Sequence, residues 1–216
     1  IVLYLSAVDH ILLEATRQLF GFVAQSTSDP KLSVVAIRGT ARLIEWLIDA
    51  EFMPTPFSAV PSAGRVEEGF HSVFRSLSGQ TPEGSPVGDI RAFIQQQAKN
   101  GTLVITGHSL GGAVANLLAL DIAVNAPVDN LVVYTLAAPR TGHQTFCDTF
   151  NRCVPNAFRV FNEHDIVPRM PPGYEQVDSG EPIDSRNDPR IRHNVAAYHV
   201  IATYLTLLDD ARKSGR

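Results

Sequence analysis

Sulfur is scarce in this chain. Cys147 and Cys153 are its only cysteines, which excludes a framework of several disulfides. A bond between the two would close a loop too short to add much stability. The plainer reading is two free thiols on or near one helix. Apolar runs are short as well, and none approaches the ~20 residues that a membrane-crossing helix needs. Neither sign of charge prevails. Eighteen Lys and Arg stand against 22 Asp and Glu, a formal net charge of −4, so there is no basic field for nucleic acid or anionic headgroups. No internal repeat and no long charge run is visible. No His/Asp/Glu cluster has metal-ligand spacing, and no metal or organic cofactor is called for.

What is present is an ordinary globular composition. The 216 residues are 44% hydrophobic and 19% charged, enough for one domain with a substantial core. The chain opens on Ile1 rather than Met, as a mature form, a fragment or a trimmed chain would, so a signal peptide would be out of view.

In "AVDHILLEATRQLF", Val8, Ile11, Leu12, Ala15 and Leu19 recur at helical spacing, which predicts a helix over 7–20. "GFVAQS" and "KLSVVAIRGT" flank Thr27-Ser28-Asp29-Pro30 and read as a hairpin. "LIEWLIDAEFM" (43–53) reads as a short helical or mixed apolar segment, broken off by Pro54, Pro56 and Pro61. Helices are expected over 69–77 and 86–99, separated by a Gly/Ser/Pro-rich loop. A strand (102–107), a helix (110–125), a strand (131–137), a helix (142–152) and a strand (156–161) follow. A Pro- and Arg-rich loop (168–192) and a helix from 194 to 211 end the chain. Strands alternating with helices imply an α/β fold, with a mostly parallel central sheet and helices on both faces. The early hairpin supplies an antiparallel N-terminal edge. The almost unbroken apolar run "LVVYTLAA" suits a strand covered on both sides.

One stretch carries chemistry. In "LVITGHSLGGAVANLLALDIA", Gly107-His108-Ser109-Leu110-Gly111 matches G-x-S-x-G. With Gly near 7% of average usage, a chance match has a probability on the order of several per cent. Its context is more specific, because the predicted strand leads in and the predicted helix leads out. A serine at such a turn is presented as a nucleophile, and the flanking glycines avoid collision between strand and helix. The helix N-terminus adds a positive field.

A serine nucleophile needs a base, and the base needs an orienting acid. In sheets of this kind the chain order is Ser, acid, His. His143, His164, His193 and His199 follow Ser109. His143 reads as a cap or surface residue, and His164 adjoins the candidate acids too closely to face them. His193 lies in a polar loop and His199 in the apolar stretch "AAYHVIATYL"; both stay open as the base. "FRVFNEHDIVPRMPP" places Glu163 and Asp165 at the carboxyl end of a strand, where catalytic groups of open α/β sheets sit. An oxyanion also needs donors. The backbone N–H of Leu110 is one, and "RGT" (38–40) ends an early strand where a second could sit.

These pieces together resemble the class 3, fungal-type triacylglycerol lipases, which have the α/β-hydrolase fold. "VVAIRGT", "IEWLIDAEF", "VEEGFHSVF", "VITGHSLGGAVANLLALDI", "LAAPRTGHQTF", "FRVFNEHDIVPRMPP" and "YHVIATYL" occur in the family's order over roughly 35–205. The resemblance implies Ser109 as nucleophile, Asp165 as acid and His199 as base, with Thr40 and Leu110 forming the oxyanion hole. It also implies a lid at 41–57, where Leu43, Trp46 and Leu47 would cover the site or meet substrate, against the plainer alternative of a core-packed helix. The implied partner is an acylglycerol or other lipid ester at a lipid–water interface, with no nucleic acid and no transmembrane segment. Export follows from family habit only. The chain departs from the pattern at Glu67, where the family often has His. The acid-to-base gap is also short, which suggests a trimmed loop, and the family's many disulfides are missing. Two rival readings are an esterase for short or feruloyl-type acyl groups, and a non-catalytic interaction protein that keeps the lipase fold.

Overall fold

The computed structural model describes residues 1–8, 17–40, 44, 47 and 51–214. Eleven strands are present among them: β1 (Leu3–Val8), β2 (Arg17–Gln25), β3 (Leu32–Ile37), β4 (Pro54–Pro56), β5 (Arg65–Glu67), β6 (Ser78–Gln80), β7 (Pro86–Val87), β8 (Thr102–His108), β9 (Asn130–Leu136), β10 (Ala157–Asn162) and β11 (Glu181–Ile183). Nine form one sheet in the order β11-β10-β9-β8-β3-β2-β1-β6-β7, and β4 pairs with β5 in a separate ribbon. From β11 to β3 every pairing is parallel. From β3 to β7 every pairing is antiparallel. The expected parallel sheet with an antiparallel N-terminal edge is present, and that edge is wider than one hairpin.

The helices are α1 (Glu68–Arg75), α2 (Ile90–Gln97), α3 (Leu110–Asn125), α4 (Gln144–Cys153), α5 (Val195–His199) and α6 (Ile201–Ser214). α3 is the central one. Every residue from Leu110 to Ile122 is buried, because α3 lies between the sheet and α1 and α4. That explains an apolar composition on all its sides. Its face of the sheet holds the main core, including Phe70, Ile105, Leu117 and Phe146. At roughly 1.5–3 kcal/mol for each large apolar side chain buried, this core is the main stabiliser. α6 covers the opposite face, where Tyr204 packs on Ala137 and Val160 beside Leu136 and Leu208.

Several expectations need correction. Ala7, Val8 and Arg17–Phe20 are strand, not helix. Leu3, Leu5 and Ala7 are buried at period two, and pairing between β1 and β2 decides the conformation over local spacing. The intervening part of that predicted helix lies outside the described residues. The loop expected at 78–88 contains the paired strands β6 and β7. The following helix starts only at Ile90, where Asp89 caps it by accepting from the Arg91 and Ala92 amides at 2.9 and 3.2 Å. The helix expected over 194–211 is broken at Val200, whose φ of −61° and ψ of 141° are extended. Cys147 and Cys153 both lie on α4 as free thiols, and burial pushes the Cys147 thiol up to about 12. No helix among the described residues is long and apolar enough to cross a membrane.

Candidate active site

The site is built at the turn from β8 into α3. Ser109 has φ 60° and ψ −130°, a sparsely populated conformation for a residue with a Cβ, and one that is typical of functional positions. Close approach holds it there. A Cβ on Gly107 would lie 2.1 Å from the Gly111 carbonyl oxygen, and one on Gly111 would lie 2.3 Å from the Ile37 oxygen. The Ser109 amide donates to Leu136 O at 2.9 Å, which ties the turn to β9. Ser109 is 1% exposed and sits at the start of α3, in the positive end of the helix field.

The sheet and the C-terminal helices bring Asp165 and His199, the candidate acid and base, to this turn. Ser109 Oγ lies 2.6 Å from His199 Nε2. His199 Nδ1 lies 2.8 Å from Asp165 Oδ2. His199 is 7% exposed and Asp165 1%. Asp165 follows the end of β10, and its Oδ1 accepts from the Val167 amide at 3.0 Å. With the Asp165 carboxylate holding a proton on Nδ1, Nε2 is left as an acceptor for the serine hydroxyl. The broken final helix makes this possible. His199 ends α5, and the extended Val200 redirects the chain before α6 begins.

The competing candidates stand elsewhere. Glu163 is exposed, as is His193. His143 precedes α4 without capping it through its side chain, and its ring packs on Tyr174 at 4.9 Å. His164 turns away from Asp165 and bonds Asp184 Oδ1 at 3.0 Å. Glu163, His164 and Asp184 have potential ligand atoms within 4.8 Å of one another, a grouping not visible from spacing. Arg186 Nε sits 3.2 Å from the same His164 nitrogen, which opposes a cation there.

Arg38, Gly39 and Thr40 run alongside the turn. A Cβ on Gly39 would come within 3.0 Å of Ser109 Cβ. Leu110 is the first residue of α3, so its amide is among those that have no partner within the helix. Thr40 lines an apolar cleft of about 560 Å³ together with Ile44, Leu136, His199, Val200 and Ile201. Leu47 is 3% exposed and belongs to the main core. Leu43 and Trp46 lie outside the described residues. The far end of the 41–57 segment is the β4 strand paired with β5, followed by Phe57, which is fully buried.

Two residues that sequence reasoning passed over complete the site. The Tyr204 hydroxyl donates to Asp165 Oδ2 at 2.7 Å and accepts from the Asn162 amide at 3.0 Å. Burial and the adjacent Asp165 charge push its phenol pKa upward. His108 Nε2 lies 2.8 Å from the His199 carbonyl oxygen. Both stood inside quoted motifs, "YHVIATYL" and "GHSLGG", but pattern alone gives no direction for their side chains.

A family model for Lipase (class 3) matches residues 34–175. The chain belongs to the class 3 lipases. The chain is 31% identical to phospholipase A1-II 4 of Oryza sativa subsp. japonica, over 80% of this chain and 49% of that protein. It is 27% identical to phospholipase A1-IIgamma of Arabidopsis thaliana, over 80% of this chain and 47% of that protein. The chain thus spans about half the length of the curated relatives it matches. Among solved structures, the triacylglyceride lipase of Rhizomucor miehei aligns with a TM-score of 0.63 at 27% identity, covering 84% of this chain and 66% of that one. The M37 lipase aligns with a TM-score of 0.66 at 20% identity, over 88% of this chain and 74% of that one. Together these neighbours show the α/β-hydrolase fold.

Proposed function

We propose that this chain is a serine carboxylic-ester hydrolase that cleaves acyl esters of glycerolipids through an acyl-enzyme on Ser109. The carrying observation is the unbroken series Ser109 Oγ–His199 Nε2 at 2.6 Å and His199 Nδ1–Asp165 Oδ2 at 2.8 Å. Family membership and the names of the relatives, phospholipases A1 and a triacylglyceride lipase, support the lipid ester as substrate. The apolar cleft beside Thr40 and His199 suits an acyl chain.

Ser109 attacks the ester carbonyl while His199 Nε2 takes its proton. Asp165 keeps the ring in the required tautomer and stabilises the imidazolium. The amides of Thr40 and Leu110 bind the oxyanion. His199 then gives its proton to the departing alcohol, and water repeats the sequence to release the acid. In this reading the 41–57 segment is a lid whose parts outside the core open at a lipid surface, while Leu47 stays packed in the core.

Ser109→Ala is expected to abolish ester hydrolysis and fluorophosphonate labelling with the fold retained. Hydrolysis by that variant would remove the assignment. A series of p-nitrophenyl esters of rising chain length, with and without emulsion, identifies the acyl class. A rate that falls with chain length and ignores the interface would favour a short-chain esterase.

A further inference from the structure

The break between α5 and α6 creates a problem of hydrogen bonding that His108 solves. A helix leaves its last carbonyls without partners, and α5 ends at the catalytic base itself. The Thr203 hydroxyl takes the Ala197 carbonyl at 2.6 Å. The His199 carbonyl is taken by His108 Nε2 at 2.8 Å. The carbonyl oxygen can only accept, so Nε2 carries the hydrogen.

We propose that His108 is a positioning residue for the catalytic base: its Nε2–H anchors the His199 backbone while the next residue, Ser109, engages the His199 ring. This inference rests on the reading of Ser109, His199 and Asp165 as the reacting series. Two consecutive residues at the end of β8 thereby hold residue 199 at two points, carbonyl and imidazole. A ring grasped only at Nε2 and Nδ1 can swing with its backbone, whereas a fixed Cα and carbonyl leave only the side-chain torsions. The β8–β9 register, which places His108 opposite Leu136, fixes the strand end from which His108 reaches.

The local environment suits a neutral anchor. Burial, followed by the nearby His199, pushes the His108 imidazole down to about 4. Its ring centroid lies 4.9 Å from that of His199 and 5.9 Å from that of Tyr204. At that distance a cationic neighbour would oppose the imidazolium that forms on His199 during acyl transfer. A neutral His108 supplies the hydrogen bond without the charge.

The test compares His108→Leu, His108→Gln and His108→Asn with the parent chain on one p-nitrophenyl ester, with thermal unfolding measured in parallel. His108→Leu removes the donor, and kcat is expected to fall about 10- to 100-fold with KM unchanged within about twofold, as for a misplaced catalytic group. His108→Gln places an amide N–H near the Nε2 position and is expected to recover kcat to within about threefold. His108→Asn is too short and is expected to behave like leucine. If His108→Leu does not fold, the glutamine–asparagine difference carries the decision. Equal activity of those two, or a His108→Leu kcat within twofold of the parent, overturns the proposal. Hydrolysis surviving in Ser109→Ala overturns the underlying series instead. A dead Ser109→Ala beside a fully active His108→Leu sinks the positioning role alone.

Discussion

The Tyr204 hydroxyl donates at 2.7 Å to the same carboxylate oxygen of Asp165, Oδ2, that faces His199 Nδ1. The shared oxygen divides its negative charge between two donors. Tyr204→Phe leaves His199 as the sole side-chain donor to that oxygen among the described residues and also strips the buried Asn162 amide of its acceptor. The imidazolium is then better stabilised, so the acidic limb of the kcat/KM profile moves to higher pH. Stability falls by about 1–3 kcal/mol for the unsatisfied amide. A pH–rate series paired with urea unfolding checks both parts, and an unmoved acidic limb refutes the electrostatic one.

The Ser109 turn leaves no room for an added methyl at Gly107. Gly107→Ala places a Cβ 2.1 Å from the Gly111 carbonyl, a clash with backbone that only a shift of α3 against β8 can relieve. The expected loss exceeds about 3 kcal/mol, at the upper end for single substitutions. Gly88→Ala meets nothing within 4 Å and serves as the control, with a change inside about 0.5 kcal/mol. Similar unfolding midpoints for the two variants would refute the close-approach argument.

Glu67 makes stability depend on pH. It is 1% exposed, and its Oε2 caps α1 by accepting from the Phe70 amide at 2.8 Å. Burial pushes its carboxyl from 4.5 up to about 7. The folded chain therefore binds more protons than the unfolded one between those two values, and stability falls as pH rises through that window. The loss is on the order of 3 kcal/mol at 1.36 kcal/mol per unit. Glu67→Gln keeps a capping oxygen and removes the titration. Guanidinium midpoints at pH 5 and pH 8 should differ less in this variant than in the parent; equal slopes would show that the carboxyl is not the group responsible.

Leu47 separates a packed helix from a moving cover. It sits in the main core at 3% exposure. Leu47→Ala is expected to lower stability by about 2–4 kcal/mol, as for other core truncations. The ratio of activity with and without emulsion should stay near the parent value. A changed ratio with unaltered stability would assign Leu47 to the lid instead.

The half of the fold that surrounds the serine was legible because its signals are local. β8, α3, β9, α4 and β10 each announce themselves by period, by β-branched runs or by the glycines around Ser109. Ser109 and the strand-end acids followed from that pattern, while the choices of Asp165 over Glu163 and His199 over His193 needed the family resemblance. β1, β6 and β11 escaped notice because each has a partner distant in sequence: Tyr4 pairs with Gln80, and Val160 with Glu181. β7 escaped as a two-residue edge strand that pairs only with neighbouring β6. The Val200 break was invisible for the same reason. "AAYHVIATYL" reads as one helix, whereas the fold divides it at Val200, with His108, Thr203 and Tyr204 bonding the pieces on either side. Tyr204 and His108 had no pattern of their own, since a side chain's direction is a property of the assembled fold.

The interrupted C-terminal helix separates inactivation from unfolding. Ser109 and His199 are 90 positions apart, and Val195 in α5, Val200 at the break and Ile201 at the start of α6 face solvent at 49%, 46% and 45% exposure. With so little apolar burial, this short piece of chain is expected to open at a fraction of the free energy needed to melt the sheet. On the proposed reading of Ser109 and His199, turnover then becomes a sensitive gauge of local order: it is lost when one helical turn lets go, while Ser109 still stands in an intact sheet.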